Sequence, residues 1–429
     1  MRLMVRLLLP LVPWAMLAVT FWRWALGREP RFALGQRLGF VPRPDAGGAV
    51  WLHAASNGEM ASARWVLEDL LAARPAGLQV LITTNTTTAQ AMGAGWGMAG
   101  VTVAFAPLDL GPALRRVLQR WKPQALITVE GEIYPRRFAL CAAAHIPIAL
   151  IGARMSERSF RGWQALQPVM ARALTRVNIA SVQDAASGQR LLALGLPLAA
   201  VRAPCDLKAV AIARLAAPSL PPQESRARWL LAASTHAGEE AIILDAFGQV
   251  RDAFDHLIIA PRHPRRADEV AALIAARGLG MARRSSGGMP ETEPVFLADT
   301  MSEMDLWYAR CGVCVVGGSF VHKGGHTPWE PVRMGCAVVH GPWVENFAAP
   351  YATLAAVGGA LQVQGAGDLA QALASMNGQA QARQTSAAAH ILSGLGNGAQ
   401  LFHEILTLLF PEPAKISLHQ GENVAERKQ

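Results

Sequence analysis

The sequence predicts an α/β protein made of two Rossmann-like domains, each a parallel sheet wrapped by helices. Three observations predict it. From Ala49 onward short apolar runs alternate with amphipathic helical stretches, in two successive series. The runs are nearly continuous in Ala, Val, Ile and Leu, as strands covered on both faces require. Residues 211–228, with Pro218, Pro221 and Pro222, separate the two series as a linker. Hydrophobic residues make up 52% of the 429 and charged residues 17%, which excludes a disordered, fibrous or disulfide-stapled chain.

The N-terminus comes first. Residues 7–22 are almost wholly apolar, with Arg2 and Arg6 before them and Arg23, Arg28 and Arg31 after. Met1–Pro44 carries seven arginines against one acid, so +6 of the chain's +9 lies there. This is a local basic segment and not a protein-wide nucleic-acid footprint. Sixteen apolar residues with Pro10 and Pro13 fall short of the ~20 a spanning helix needs. No small-x-small cleavage site follows, which disfavours a signal peptide. Residues 1–25 are therefore expected to form an uncleaved anchor, with the Arg-rich side on cytoplasmic, anionic lipid. A buried helix of a soluble protein is the alternative.

The first series, residues 26–210, predicts strands at Ala49–Ala55, Leu78–Thr84, Val101–Pro107, Ala125–Glu130, Pro147–Ala153, Asn178–Val182 and Ala199–Pro204. The second, residues 229–412, predicts strands at Trp229–Ser234, Leu257–Pro261, Val295–Ala298, Val313–Gly317 and Ala337–His340. A helix with Leu401, Ile405 and Leu408 on one face closes that domain, and residues 413–429 are a polar tail. The Cys311–Cys314 pair has no second CxxC or CxxH, so both read as buried thiols in a reduced compartment. Ligands of such folds bind where strand carboxyl ends open into helices, here at a cleft between the two domains.

Those strand ends carry the chemistry. The first reads His53-Ala-Ala-Ser56-Asn-Gly58-Glu59, with Glu59 opening the next helix. A carboxylate there either complements the helix dipole or takes a proton from an attacking hydroxyl. Glu130-Gly-Glu132 ends another strand of the same domain. The second domain offers anion-binding groups: Ser234-Thr-His236-Ala-Gly238-Glu239, then Arg262-His263 with Arg265 and Arg266. Its densest segment runs from Gly317 to Pro331, with two glycine pairs, a cap at Thr327 ahead of Pro328, and Glu330 placed to accept from ribose hydroxyls. No DxD pair sits at a strand end, so no metal or other cofactor is expected.

The motifs together resemble the Kdo (3-deoxy-D-manno-octulosonic acid) transferases of lipopolysaccharide synthesis, from the anchor to about Phe410. GGSFVHKGGHTPWEP at 317–331 and GPWVENF at 341–347 are similar to the family's GGSxVxxGGHNPLEP and GPHxxNF. HAASNGE (53–59), EGEIYP (130–135), ARMSERSFRGW (153–163), STHAGEE (234–240) and PRHP (261–264) match HxxSxGE, ETELWP, ARLSxRSxxGY, STHxGEE and PRHP.

The resemblance implies an inverting GT-B glycosyltransferase at the bacterial inner membrane. Its donor would be CMP-Kdo and its acceptor a lipid A precursor of the lipid IVA type. It implies Glu59 as general base, Glu130 and Lys208 as transition-state stabilisers, and Pro261, Arg262, Met301, Ser302, Glu303, Thr327, Pro328, Trp329 and Glu330 as CMP-binding residues. The chain departs from the pattern at Gly131 (family Thr), Ser302 (Gly), Thr327 (Asn) and Pro204-Cys205-Asp206 (Thr-Gly-Asn). Asp206 is expected to place a carboxylate beside Lys208 and weaken its field. Two alternatives stand: a membrane-associated transferase of another nucleotide sugar, or a noncatalytic nucleotide-sugar-binding protein. Activity on a UDP-sugar would select the first, and CMP binding without turnover the second.

Overall fold

In the computed structural model, residues 12–42, 48–73, 78–216, 218–395 and 398–409 are described. The start of the expected anchor, with Arg2 and Arg6, and the tail from 413 lie outside them. The chain forms two units, residues 1–211 with 397–429 and residues 212–396.

The first unit is built on a seven-stranded parallel sheet: β1 (Ala49–His53), β2 (Gln79–Thr84), β3 (Val101–Phe105), β4 (Pro123–Val129), β5 (Ile148–Ala153), β6 (Ile179–Val182) and β7 (Val201–Arg202), in the order β3-β2-β1-β4-β5-β6-β7. All five residues of β1 are buried, because helices cover both faces of the sheet. One face meets Trp51, Leu81, Leu126 and Phe138; the other meets Leu52, Ile82, Ile127 and Leu67. The chain moves outward from β1 through β2 to β3, then returns to β4 on the opposite side of β1. The carboxyl ends of β1 and β4 therefore flank a switch point, where helices leave in opposite directions and a crevice opens.

The second unit repeats the plan with β8 (Trp229–Thr235), β9 (His256–Pro261), β10 (Met281–Arg283), β11 (Val295–Leu297), β12 (Val313–Val316), β13 (Ala337–His340) and β14 (Ala360–Gln362). Its order is β10-β11-β9-β8-β12-β13-β14, so β8 and β12 flank its switch point. Cys311 and Cys314 are fully buried at β12, and burial pushes both thiols well above their ordinary range. The CxxC spacing is a packing feature.

Two sequence expectations change. The helix Ala399–Leu409, expected to close the second domain, packs in the first unit, where Leu401, Ile405 and Leu406 join the core containing Trp65 and Leu67. Glu404 there pairs with Arg202 (2.6 Å). The end of the expected linker belongs to the second unit. Buried Arg226 donates to the carbonyls of Tyr308 (3.1 Å), Cys311 (2.8 Å) and Met334 (2.6 Å), which a free linker could not do. In keeping with the short apolar run, no described helix is long and apolar enough to cross a membrane. The helix Val12–Ala25 packs on the first unit, with Leu17 on Leu108, Leu110 and Ala113. Val19, Phe21 and Trp22 remain more than half exposed on it.

Candidate active site

In the first unit, β1 delivers the chain into Ser56 and the helix Asn57–Ala73. Ser56 Oγ accepts from the Glu59 N–H (3.4 Å), and Glu59 Oε2 accepts from the Ala55 N–H (2.7 Å). Ser56 caps the helix while the Glu59 carboxylate turns back onto the backbone just before it, which holds Glu59 at the β1 end of the switch point. Glu130 follows β4 directly with a left-handed φ of 55°, which turns it toward the same crevice. Lys208 Nζ lies 3.1 Å from Glu130 Oε1, so the sheet brings together the three residues expected to act. Burial pushes the Glu59 carboxyl up to about 7, the charges of Glu130 and Glu132 add to this, and the Ala55 N–H and Ser56 hydroxyl oppose it. A carboxyl titrating near neutrality suits a general base.

Asp206 sits beside Lys208 and caps the helix that carries it. Its Oδ1 accepts from the backbone N–H groups of Lys208 (3.0 Å) and Ala209 (3.2 Å), capping the helix Leu207–Ala213. The carboxylate is satisfied by the helix end, and the lysine keeps Glu130 as its ion-pair partner. Tyr134 of the EGEIYP motif completes the group, with Asn85 and Arg137 from outside the matched motifs. The Tyr134 hydroxyl donates to Glu132 and accepts from Asn85 Nδ2 (3.0 Å). Tyr134 packs edge-on against buried His53 (5.2 Å) and beneath the Arg137 guanidinium (4.0 Å).

In the second unit, β8 ends in the STHAGEE turn and β12 in the Gly-rich segment, on the two sides of its switch point. Buried Glu239 joins them. Its Oε2 accepts from the N–H groups of His236 (2.8 Å) and Gly318 (2.6 Å), and its Oε1 from those of Ser319 (2.9 Å) and Phe320 (2.8 Å). The neighbouring Glu240, also buried, takes Thr235 and Arg266 (both 2.7 Å). The GPWVENF segment braces the same loop, Asn346 Nδ2 donating to the Lys323 carbonyl (2.9 Å). A Cβ at Gly324 would sit 2.4 Å from that Nδ2, and its φ of 81° is left-handed, so glycine is required there.

His236 and His326 stack 5.3 Å apart with their Nε2 atoms 3.0 Å from each other. Burial pushes His326 down to about 4, with His236, Arg262 and His263 adding; His236 is lowered by burial and by His263, Lys323, Arg262 and Arg266. Neutral imidazoles among Arg262 and Lys323, neither ion-paired among the described residues, make a site for a phosphate or carboxylate.

The expected CMP residues divide. Pro261 ends β9 and is buried; Arg262 is exposed, its N–H held by the Thr235 carbonyl (2.9 Å). Thr327 Oγ1 accepts from the Trp329 N–H (3.3 Å), Pro328 and Trp329 are buried, and Glu330 is exposed with the Tyr308 hydroxyl at 3.4 Å. The helix there, Trp329–Arg333, is only five residues long. Its dipole is correspondingly small, so anion binding rests on side-chain cations more than on a helix end. Met301 is 62% exposed, and Ser302 takes φ 67°, the left-handed geometry that explains glycine in the resembling pattern. Glu303 is bound to Arg284 (2.6 Å), which with Thr300 draws its carboxyl down to about 2.

Two doubly wound seven-stranded sheets, with acids at one switch point and cations at the other, make a GT-B-like fold. A glycosyltransferase from Rickettsia africae shares the fold at TM-score 0.56 and 11% identity, over 84% of this chain and 98% of that one. The family described as 3-deoxy-D-manno-octulosonic-acid transferase (kdotransferase) matches residues 33–211. The 3-deoxy-D-manno-octulosonic acid transferase of Bordetella pertussis is 35% identical over 382 residues, 81% of this chain and 85% of the relative. A probable mitochondrial 3-deoxy-D-manno-octulosonic acid transferase of Arabidopsis thaliana is 30% identical over 342 residues, 76% of each. The chain belongs to the 3-deoxy-D-manno-octulosonic acid transferase family.

Proposed function

We propose that the protein transfers Kdo from CMP-Kdo to a hydroxyl of a lipid A precursor of the lipid IVA type, at a membrane surface and with inversion. The observation that carries this reading is the Glu59–Glu130–Lys208 group, whose base candidate titrates near 7. Glu59 takes the proton from the acceptor hydroxyl. The freed oxygen attacks the anomeric carbon of Kdo from the face opposite CMP. The bond from that carbon to the phosphate oxygen breaks, and CMP departs with the electron pair. Charge growing on the phosphate is met by cations, Arg262 and Lys323 in the second unit, held in place by loops that Glu239 and Asn346 fix. Lys208, paired with Glu130, supports charge developing at the sugar. No metal enters these steps.

Purified protein incubated with CMP-Kdo and a lipid IVA-type acceptor should yield lipid heavier by whole Kdo residues in the mass spectrum, with CMP released. Unmodified lipid, with a UDP-sugar consumed instead, would replace the donor assignment. CMP bound without turnover of either donor would make the chain a binding protein.

A further inference from the structure

Beside the Glu59 group the first unit holds a cavity of about 930 Å3 that the steps above do not use. It lies within the ~300–1,000 Å3 range of small-molecule sites. Its apolar wall includes Ala15 and Val19 of the N-terminal helix, Leu108, Val169 and Ala173. Two carboxylates reach the cavity, and both are already satisfied. Glu29 is paired with Arg37 (3.0 Å) and Arg23 (3.4 Å). Asp109 accepts from the backbone N–H groups of Arg136 (3.0 Å) and Arg137 (2.7 Å). Arg136, Arg172 and Arg176 also line it, and none of them forms an ion pair among the described residues. The cavity is thus apolar within and carries a surplus of three guanidinium charges.

Its other end meets the reaction chemistry. Asn85 and Tyr134 line the cavity and bond to each other, Tyr134 also donates to Glu132, and the Glu132 charge acts on Glu59. Resting on the reading of the chain as a sugar transferase to a lipid hydroxyl, we propose that this cavity is the acceptor's own site. An acyl chain lies along Val19, Val169 and Ala173, and a phosphate of the same lipid is held by Arg136, Arg172 and Arg176. Guanidinium forks match phosphate oxygens, and the apolar wall favours an acyl chain over a purely polar group. The N-terminal helix is then a wall of the substrate site as well as an attachment.

The test uses the full chain in detergent and displacement of a dansyl-labelled fatty acid. Lauroyl lysophosphatidic acid should displace the probe at least tenfold better than monolauroylglycerol, and inorganic phosphate should fail to displace it. Arg172→Ala/Arg176→Ala should erase the preference for the phosphorylated lipid. Val19→Asp, at an exposed position that folding tolerates, should weaken both lipids. Equal affinity of the double variant for lysophosphatidic acid, or displacement by inorganic phosphate alone, would overturn the proposal. In transfer assays the double variant should raise the acceptor KM at least tenfold with donor KM and kcat held. An unchanged acceptor KM would likewise overturn it. Arginine-dependent lipid binding in a protein that transfers no Kdo would support the cavity and refute the reaction instead.

Discussion

In the resting protein the Glu59 carboxylate is engaged as a cap, accepting from Ala55 N–H and the Ser56 hydroxyl, while Glu130 and Glu132 crowd it from the other side. The two readings left open by the sequence, dipole partner and general base, are thus both physically present in one side chain. Substitution separates them. Glu59→Gln keeps an oxygen for the cap but takes no proton, so turnover should fall roughly 10²–10⁴-fold with donor affinity intact. Wild-type turnover should fall as pH drops through about 7, since only the ionised base works. Stability carries the opposite sign. The folded carboxyl titrates above its ordinary 4.5, so its stabilising contribution is full below that value and is lost as pH rises through about 7. Glu59→Gln should therefore melt higher than wild type at pH 8, by roughly 1 kcal/mol after allowing for partial exposure, and lose that advantage at pH 5. Near-wild-type turnover in this variant would remove the base assignment and pass it to Glu130.

Among the elements, the last helix makes a prediction that a simple two-domain partition would not. Ile405 is fully buried in the first unit's core, although its chain neighbours up to residue 395 belong to the second. Ile405→Ala should cost ~2–5 kcal/mol. In urea, monitored by hydrogen exchange, the loss should fall on β1–β7 amides and spare those of β8–β14. Equal weakening of both units would show that they unfold as one.

Elements differ in how far sequence reveals them. Strands such as β1 and β13 are buried throughout, so unbroken apolar runs announced them. Three-residue edge strands such as β14, with Leu361 and Gln362 exposed, bury too little to leave a pattern. The home of the last helix was invisible because an apolar stripe says that a helix packs, not on which sheet. At the site, Glu59 and Glu130 were legible as acids at strand ends. The Glu239 clamp and the Tyr134–Asn85 link were not, since each depends on residues far apart in sequence meeting in space.

For the whole molecule, the uneven charge and the exposed aromatics converge on the same segment. Phe21, Trp22, Phe32 and Phe40 are each more than half exposed, with Arg28 5.5 Å over Trp22 and Arg116 4.6 Å over Phe40. Indole and phenyl rings beside guanidinium groups suit the headgroup layer, where rings leave water and the cations stay with phosphate. The full chain should sediment with vesicles containing anionic lipid, and a chain lacking residues 1–25 should stay in the supernatant. Arg28, Arg31 and Arg37 are not equivalent here, because Arg37 is buried against Glu29. Arg28→Gln and Arg31→Gln should each weaken partition about fivefold, ~1 kcal/mol per surface charge, whereas Arg37→Gln should act on stability. CMP binding, assigned to the second unit, should survive the deletion. Transfer to lipid should not, because Ala15, Val19, Thr20 and Arg23 leave the acceptor cavity with it. A deletion variant that still pellets with vesicles at high salt would place membrane attachment elsewhere in the chain, and normal acceptor KM in the same variant would separate the helix from the substrate site.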